Sequence, residues 1–364
     1  MDIDFYKGLY IILITLSGFN DLGEQYVIKT SATQSDSAQG TPAHHSMSEQ
    51  RLSGPYFFSK GLEPGFFMAE ELLNLSLTSK VLRGAAHRDM EHLAAQKLVT
   101  HVVLGEQDKA HALLHANPKL LLIKSEAKDY SGRTIRATPF QAAIGAGDKP
   151  MWEMMLQFME PEEASRQFHE WFPNGIEETP AKLSIDYDTI ALSIIHDADQ
   201  GESAIKGFRS DITRQKEITQ GVHFDLHHLL AAYQTYINHF DAFGTWEKRD
   251  LFWNQVIGYV QRQMTAYDAQ IHCSGVQSVL DNPRSFSRGL KLANAGDFFP
   301  LFPDSGLGFD FGCYSYYGLG GNLWARRSPQ TLGTGRLEKL CRAKTEALAG
   351  LRESLGQGAR YQPA

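Results

Sequence analysis

Three cysteines in 364 residues make a sparse and odd set, and Cys273, Cys313 and Cys341 lie far apart with no Cys-x-x-Cys among them. No disulfide framework or zinc knuckle follows from such spacing, and a reducing compartment suits it best. Positive charge is also in short supply. The 35 Lys and Arg face 42 Asp and Glu, a formal net charge of −7, and no basic block interrupts the chain. Nucleic acid and anionic lipid need dense positive charge, so neither is a partner through bulk electrostatics. Long apolar runs are lacking as well. The stretch "GLYIILITLSGF", Gly8 to Phe19, falls short of the roughly 20 residues that cross a bilayer, so no firm membrane association is expected. A secretory signal would want a basic start, but the chain opens Met-Asp-Ile-Asp with only Lys7 ahead of the apolar run.

What is present is a globular composition. Hydrophobic residues make up 42% and charged residues 21%, enough for a sizeable core and about two domains. Lys29 to Gln50 is rich in Ser, Thr, Ala and Gln and poor in large apolar residues, and reads as linker. Residues 1–46 therefore carry three readings: a degenerate export signal, a short membrane-contacting segment, or sequence upstream of a true start at Met47. Residues 1–53 are set aside as this segment and its linker. From about Gly54 helical spacing begins, with Met68, Leu72, Leu75 and Leu82 in phase. His87 and Glu91, four apart on one helix face, are expected to be solvated.

The stretch "TPFQAAIGAGDKPMWEMMLQFM", Thr138 to Met159, is the most patterned in the chain. Thr-Pro suits a helix start, because the Thr hydroxyl caps free N–H groups and Pro fits the first helical position. Ala142 and Ala143 are small where helices approach, Gly147 allows a tight turn, and Met151, Trp152, Met154, Met155 and Leu156 supply a second apolar face. This resembles an ankyrin repeat, except that Gln141 stands where His is usual and Ile144 where a second Ala is usual. A fainter copy lies upstream in "LGEQDKAHALLHANPKLLL", with Gly105 as its turn, Ala112, Leu113 and Leu114 in the matching slots, and Asn117-Pro118 as its stop. Between the copies "DYSGRT" is separated from "TPF" by "IRA". That long connection, with Asp129, Tyr130, Arg133 and Arg136, is a candidate for partner contact.

After Met159 the repeat pattern ends. A helix is predicted from about Tyr187, carrying Ile190, Leu192, Ile194 and Ile195. Another comes in "VHFDLHHLLAAYQTYINHFDAF", with Leu226, Leu230, Tyr233, Ile237 and Phe240 on one stripe. A third runs from Leu251 to Met264, with Trp253, Val256, Ile257 and Val260, and the last covers about Arg336 to Leu355. No strand ladder is evident. The fold class read from these patterns is all-α: a helical region with degenerate ankyrin-like repeats over 54–160, continuous with a C-terminal helical domain over 161–364.

The order "NPKLLL", "DYSGRT", "TPFQAAIGAGDKPMW", "WFPNGIE", "GVHFDLHHLLAAYQTY", "FWNQVIGYVQRQ", "GLGFDFG" resembles a set of ankyrin-like proteins of Legionella and related intracellular bacteria, from about residue 90 onward. The resemblance implies an effector-type protein, made in the bacterial cytoplasm and acting on a host protein in the host cytosol. It carries over no catalytic residue.

Enzyme chemistry finds thin support. His223 and His227 are spaced i, i+4 and form the alternative metal pair, with Asp225 between them, but Phe224 stands where a metalloprotease has its Glu. Cys273 beside His272 is a neighbour in sequence only. "GLGFDFG" misses the G-x-G-x-x-G spacing and "GLGGNLWARR" lacks the Gly-Lys-Ser/Thr of a P-loop, so no cofactor is expected. The aromatic and Gly-rich segment around them (Phe298, Phe299, Phe302, Phe309, Phe311, Tyr314, Tyr316, Tyr317) ends in Trp324, Arg326 and Arg327, residue types favoured at interfaces. The chain thus reads as a protein-binding module before an enzyme, with Tyr130, Arg133, Arg136, Trp324, Arg326 and Arg327 as contact candidates.

Overall fold

The structure is a computed structural model and describes residues 80–176, 184–283, 286–288 and 333–356, with the side chains of 80–88, 198 and 273 outside that description. The chain divides into two compact units, Met1–Leu93 and Ala94–Ala364. Of the first unit only the helix from Lys80 on is described, with side chains from Asp89. Helix α1, Lys80–Val103, runs past the boundary, and in the second unit it buries Ala94, Ala95, Leu98, Val99, Val102 and Val103.

The second unit is mostly helical. Gly105, with φ +71°, turns the chain into α2 (Gln107–Ala116), which stops at Asn117. Pro118 then opens a short 3-10 turn, Pro118–Leu122. Next come two strands that the spacing of apolar residues does not predict: β1 (Ser125–Lys128) pairs antiparallel with β2 (Thr134–Ala137), with Ala127 opposite Ile135. A two-residue strand, β3 (Glu217–Ile218), adds in parallel to β2, placing Ile135 beside Ile218. Four-residue strands with one or two buried side chains each leave almost no alternation to read, so the small sheet is invisible in the pattern.

The Thr-Pro stretch folds as its residues dictate. Thr138 caps α3 (Pro139–Ala146) in a reciprocal box with Gln141, and every residue of α3 is buried. Gly147 closes it in the left-handed conformation at φ +68°. Asp148 caps α4 (Lys149–Leu156), which buries Met151, Trp152, Met154 and Met155. Gln141 and Gln167 are wholly buried and satisfied: Gln141 bonds the Gln167 carbonyl, and Gln167 bonds Thr138 and the Leu121 carbonyl. Helix α5, Pro161–Trp171, packs on α3 and carries that glutamine.

The C-terminal part holds the larger core. Helices α6 (Tyr187–His196), α7 (Ala198–Ile212) and α8 (His227–Asn238) surround a rod made of α9 (Trp246–Phe252), a π-helical turn (Trp253–Ile257) and α10 (Gly258–Arg262). Trp253, Val256, Ile257 and Val260 are all buried, as the spacing predicts. The wide turn, marked by the Gly258 N–H bonded to the Trp253 carbonyl, helps aim all four inward. The stripe on α8 is shifted from the expected one: Leu226, Leu229, Ala232, Tyr233 and Tyr236 face the core, while Leu230 and Ile237 are half-buried. Tyr236, Phe243, Phe252 and Trp253 form an aromatic cluster with ring centroids 5.1–6.1 Å apart. Helices α11 (Ala266–Ser274) and α12 (Val276–Asp281) precede α13 (Thr334–Gly356), which buries Leu337, Leu340, Cys341, Leu348, Leu351 and Leu355.

Candidate functional site

A cleft of about 900 Å³ opens in the second unit between three elements. One wall runs from the last residue of α5 into the loop beyond it, Trp171 to Ile176. A second is the strap Gln220–His227, which leads into α8. The third is the face of α13 carrying Glu338, Arg342, Thr345 and Glu346, with Gly145 and Gly147 at the floor. Glycine and aromatic residues shape the first two walls. Val222 is 52% exposed on the strap, beside Phe224. Arg342 and Glu346 are exposed and have no ion-pair partner among the described residues.

The strap is fastened on its inner side by four hydrogen bonds. Trp171 Nε1 donates to the Gly221 carbonyl at 2.7 Å, and the Gly221 N–H returns a bond to the Trp171 carbonyl at 2.9 Å. The His223 N–H donates to the Gly145 carbonyl at 2.8 Å, and Arg133 Nη1 donates to the His223 carbonyl at 2.8 Å. Gly145 has to be glycine for this to fit: a Cβ there would stand 2.4 Å from His223 Nε2 and 2.7 Å from Trp171 Nε1. Burial, with the charges of Arg133 and Lys344, holds the His223 imidazole down at about 3, so it is neutral. Its Nε2 is buried and makes no hydrogen bond.

Two buried ion pairs brace the same region. Arg133 pairs with Asp129 at 2.8 Å and sends Nη2 to the Gln263 carbonyl at 2.7 Å. Lys344 reaches Asp268, which is fully buried, and the Ala146 carbonyl at the end of α3. On the outer side of the strap, Asp225 caps the first turn of α8 through the His227 N–H and holds His227 Nδ1 at 2.7 Å. That leaves Nε2 as the His227 ring nitrogen not engaged by Asp225. Burial pushes the Cys341 thiol up to about 12, and it lines the cleft as an inert neutral group.

The residues expected to make contacts are scattered by the structure. Arg133 is buried with its donors committed, so it fastens the hairpin to the body and presents no free guanidinium. Tyr130 is half-buried in the hairpin turn, and Arg136 is exposed on β2 between Glu126 (2.8 Å) and Glu217 (3.8 Å). Trp324, Arg326 and Arg327, with the whole aromatic and Gly-rich segment, lie outside the described residues, as do the side chains of His87 and Cys273. His223 and His227 do not share a helix face, because α8 begins only at His227. His223 turns inward while His227 pairs with Asp225, and no group of three His, Cys, Asp or Glu among the described residues is placed to hold a metal. His272 is half-buried as a residue, and the burial of its ring holds it down at about 4, with Nε2 3.3 Å from the Tyr233 hydroxyl. Trp171, Gly145, Lys344 and Asp268 were not anticipated. Each is unremarkable in sequence and gains its role from residues far along the chain.

Residues 228–355, from α8 to near the end of α13, match a family described as the CBUA0006 C-terminal domain. The match covers about a third of the chain. No curated protein and no solved structure matches. No helix among the described residues is long and apolar enough to cross a membrane.

Proposed function

We propose that the protein is a protein-interaction module that receives a segment of a partner protein in the cleft between the strap and α13. The observation that carries this is the make-up of the walls. An apolar, glycine-shaped side faces a helix whose Arg342 and Glu346 have no ion-pair partner among the described residues. Apolar anchors with a polar edge suit a bound peptide segment. The helix pair α3–α4, with its Thr-Pro cap, turn glycine and preceding hairpin, supports reading this part as a degenerate ankyrin-like unit. The order of motifs shared with ankyrin-like proteins of intracellular bacteria supports a secreted effector whose partner is a host protein.

The test is site-specific photo-cross-linking in the full chain, with a photoreactive amino acid replacing Val222, in host-cell lysate at pH 7. One stoichiometric partner is expected, lost on Arg342→Glu and retained on Arg136→Ala. Capture lost on Arg136→Ala and kept on Arg342→Glu would move the contact to the hairpin and overturn the cleft reading. The Asp225–His227 pair favours a second reading, an effector enzyme using His227 as a general base. A hydrolytic activity abolished by His227→Gln in a folded variant would select it.

A further inference from the structure

His223 raises a question that the binding reading leaves unanswered. A buried imidazole nitrogen without a partner is costly, and most buried polar atoms find one. Nε2 of His223 lies beside Gly145 and the edge of Trp171, whose ring stands at 76° to it with centroids 6.0 Å apart, and makes no hydrogen bond. The neutral ring tolerates this apolar slot. A charged ring would not. The charged groups that face it are cationic: Arg133 from the hairpin and Lys344 from α13. Their carboxylates are already engaged, Asp129 by Arg133 and Asp268 by Lys344. Helix α3 presents to it the Gly145 carbonyl, taken by the His223 N–H, and α5 the Trp171 ring, neither of them titratable. Asp225 and His227, on the strap itself, are bonded to each other.

We infer that the strap Gln220–His227 is an acid-sensitive latch: protonation of His223 ejects its ring from the slot, frees the strap and dismantles that wall of the cleft. The inference rests on the cleft being the binding site. The proton comes from solvent, and no bond other than N–H forms. Release is the only low-energy outcome, because no acceptor inside the slot is left for the imidazolium. Val222 and Phe224 leave the cleft with the ring, while buried Leu226 and the start of α8 stay in place, so an occupant held at neutral pH is released on acidification.

Coupling sets the size of the effect. An opened strap has an ordinary histidine, which begins to charge below about pH 6.5, so opening gains about tenfold per pH unit below that and about thirtyfold by pH 5. Hydrogen exchange read by mass spectrometry on the free full-length chain measures this, with amides of residues 221–226 corrected for intrinsic exchange at each pH. Wild type is expected to lose about thirtyfold more strap protection between pH 7 and pH 5 than His223→Gln. Equal losses in the two proteins overturn the latch. If His223→Gln fails to fold, the wild-type pH series decides alone. The logarithm of the opening constant should be flat above pH 6.5 and rise with unit slope below it, and a line without that bend overturns the inference. Because no partner is present, a flat result defeats the latch and leaves capture at pH 7 standing, while a bend without any capture defeats the binding reading alone.

Discussion

Replacing Lys344 by methionine isolates one buried charge. The Asp268 side chain has 0% exposure and Lys344 has 17%, so water cannot stand in for the ammonium. Methionine keeps most of the length of the stem, which lies against Gly147 close to where a Cβ would sit. What is removed is the cation on Asp268 and the bond to the Ala146 carbonyl, 3.2 Å long. Thr265 still donates to the other Asp268 oxygen at 2.8 Å, but one hydrogen bond to a carboxylate offsets only about 1.5–3 kcal/mol. A carboxylate left buried without its partner costs about 3–5 kcal/mol, a large share of the roughly 5–15 kcal/mol typical of folded domains. Thermal melts followed by circular dichroism at pH 7 should show Lys344→Met lowered by roughly 6–20 °C. Adding Asp268→Asn removes the stranded charge and should restore at least half of the loss. A single variant within about 1 kcal/mol of wild type, or a double variant less stable than Lys344→Met alone, would refute the reasoning.

Three more outcomes are expected from the same packing. Arg133→Met strands Asp129 and leaves the His223 and Gln263 carbonyls without their donor, so urea unfolding should show a loss of about 3–5 kcal/mol, whereas exposed Arg136→Ala should leave the unfolding midpoint unchanged. Gly145→Ala forces a methyl into His223 and Trp171 and should cost about 1–3 kcal/mol by the same measurement. His272, held at about 4 in the fold, stays neutral when the unfolded chain protonates below about pH 6.5. It then withdraws about 2 kcal/mol of stability by pH 5. Burial pushes Glu106 up, but His101 and Lys109 outweigh it and hold the carboxyl at about 2. Its contribution is lost only below about pH 4.5, outside that window, so denaturation midpoints that do not fall between pH 6.5 and pH 5 would contradict the histidine assignment.

The parts legible in the sequence were those governed by near neighbours. Thr138 and Gln141 cap each other three residues apart, Gly147 needs its positive φ for a local turn, and Pro118 ends a helix wherever it falls. The apolar rod around Trp253 was likewise readable from its spacing. The candidate site was hardly legible at all. Its floor depends on the fit of Gly145 against a histidine 78 positions away, its bracing on Lys344 meeting Asp268, and its walls on three separated stretches. The i, i+4 spacing of His223 and His227 misled because periodicity assumes a helix, and Asp225 starts that helix only after the first of them. Arg133, a plausible surface contact by residue type, turned inward because its partners lie far downstream.

That last arrangement has a consequence in time. The hairpin is complete once residue 137 is made, yet the carbonyl that takes Arg133 Nη2 belongs to Gln263, 130 residues later. At a synthesis rate of about 5–20 residues per second, a nascent hairpin waits roughly 6–26 s for its fastening to emerge. Within the hairpin Asp129 holds Arg133 and Ser131, and the outside fastenings of Arg133 arrive in sequence, first the His223 carbonyl and then that of Gln263. The hairpin is therefore complete in its local bonds well before it can be locked to the body.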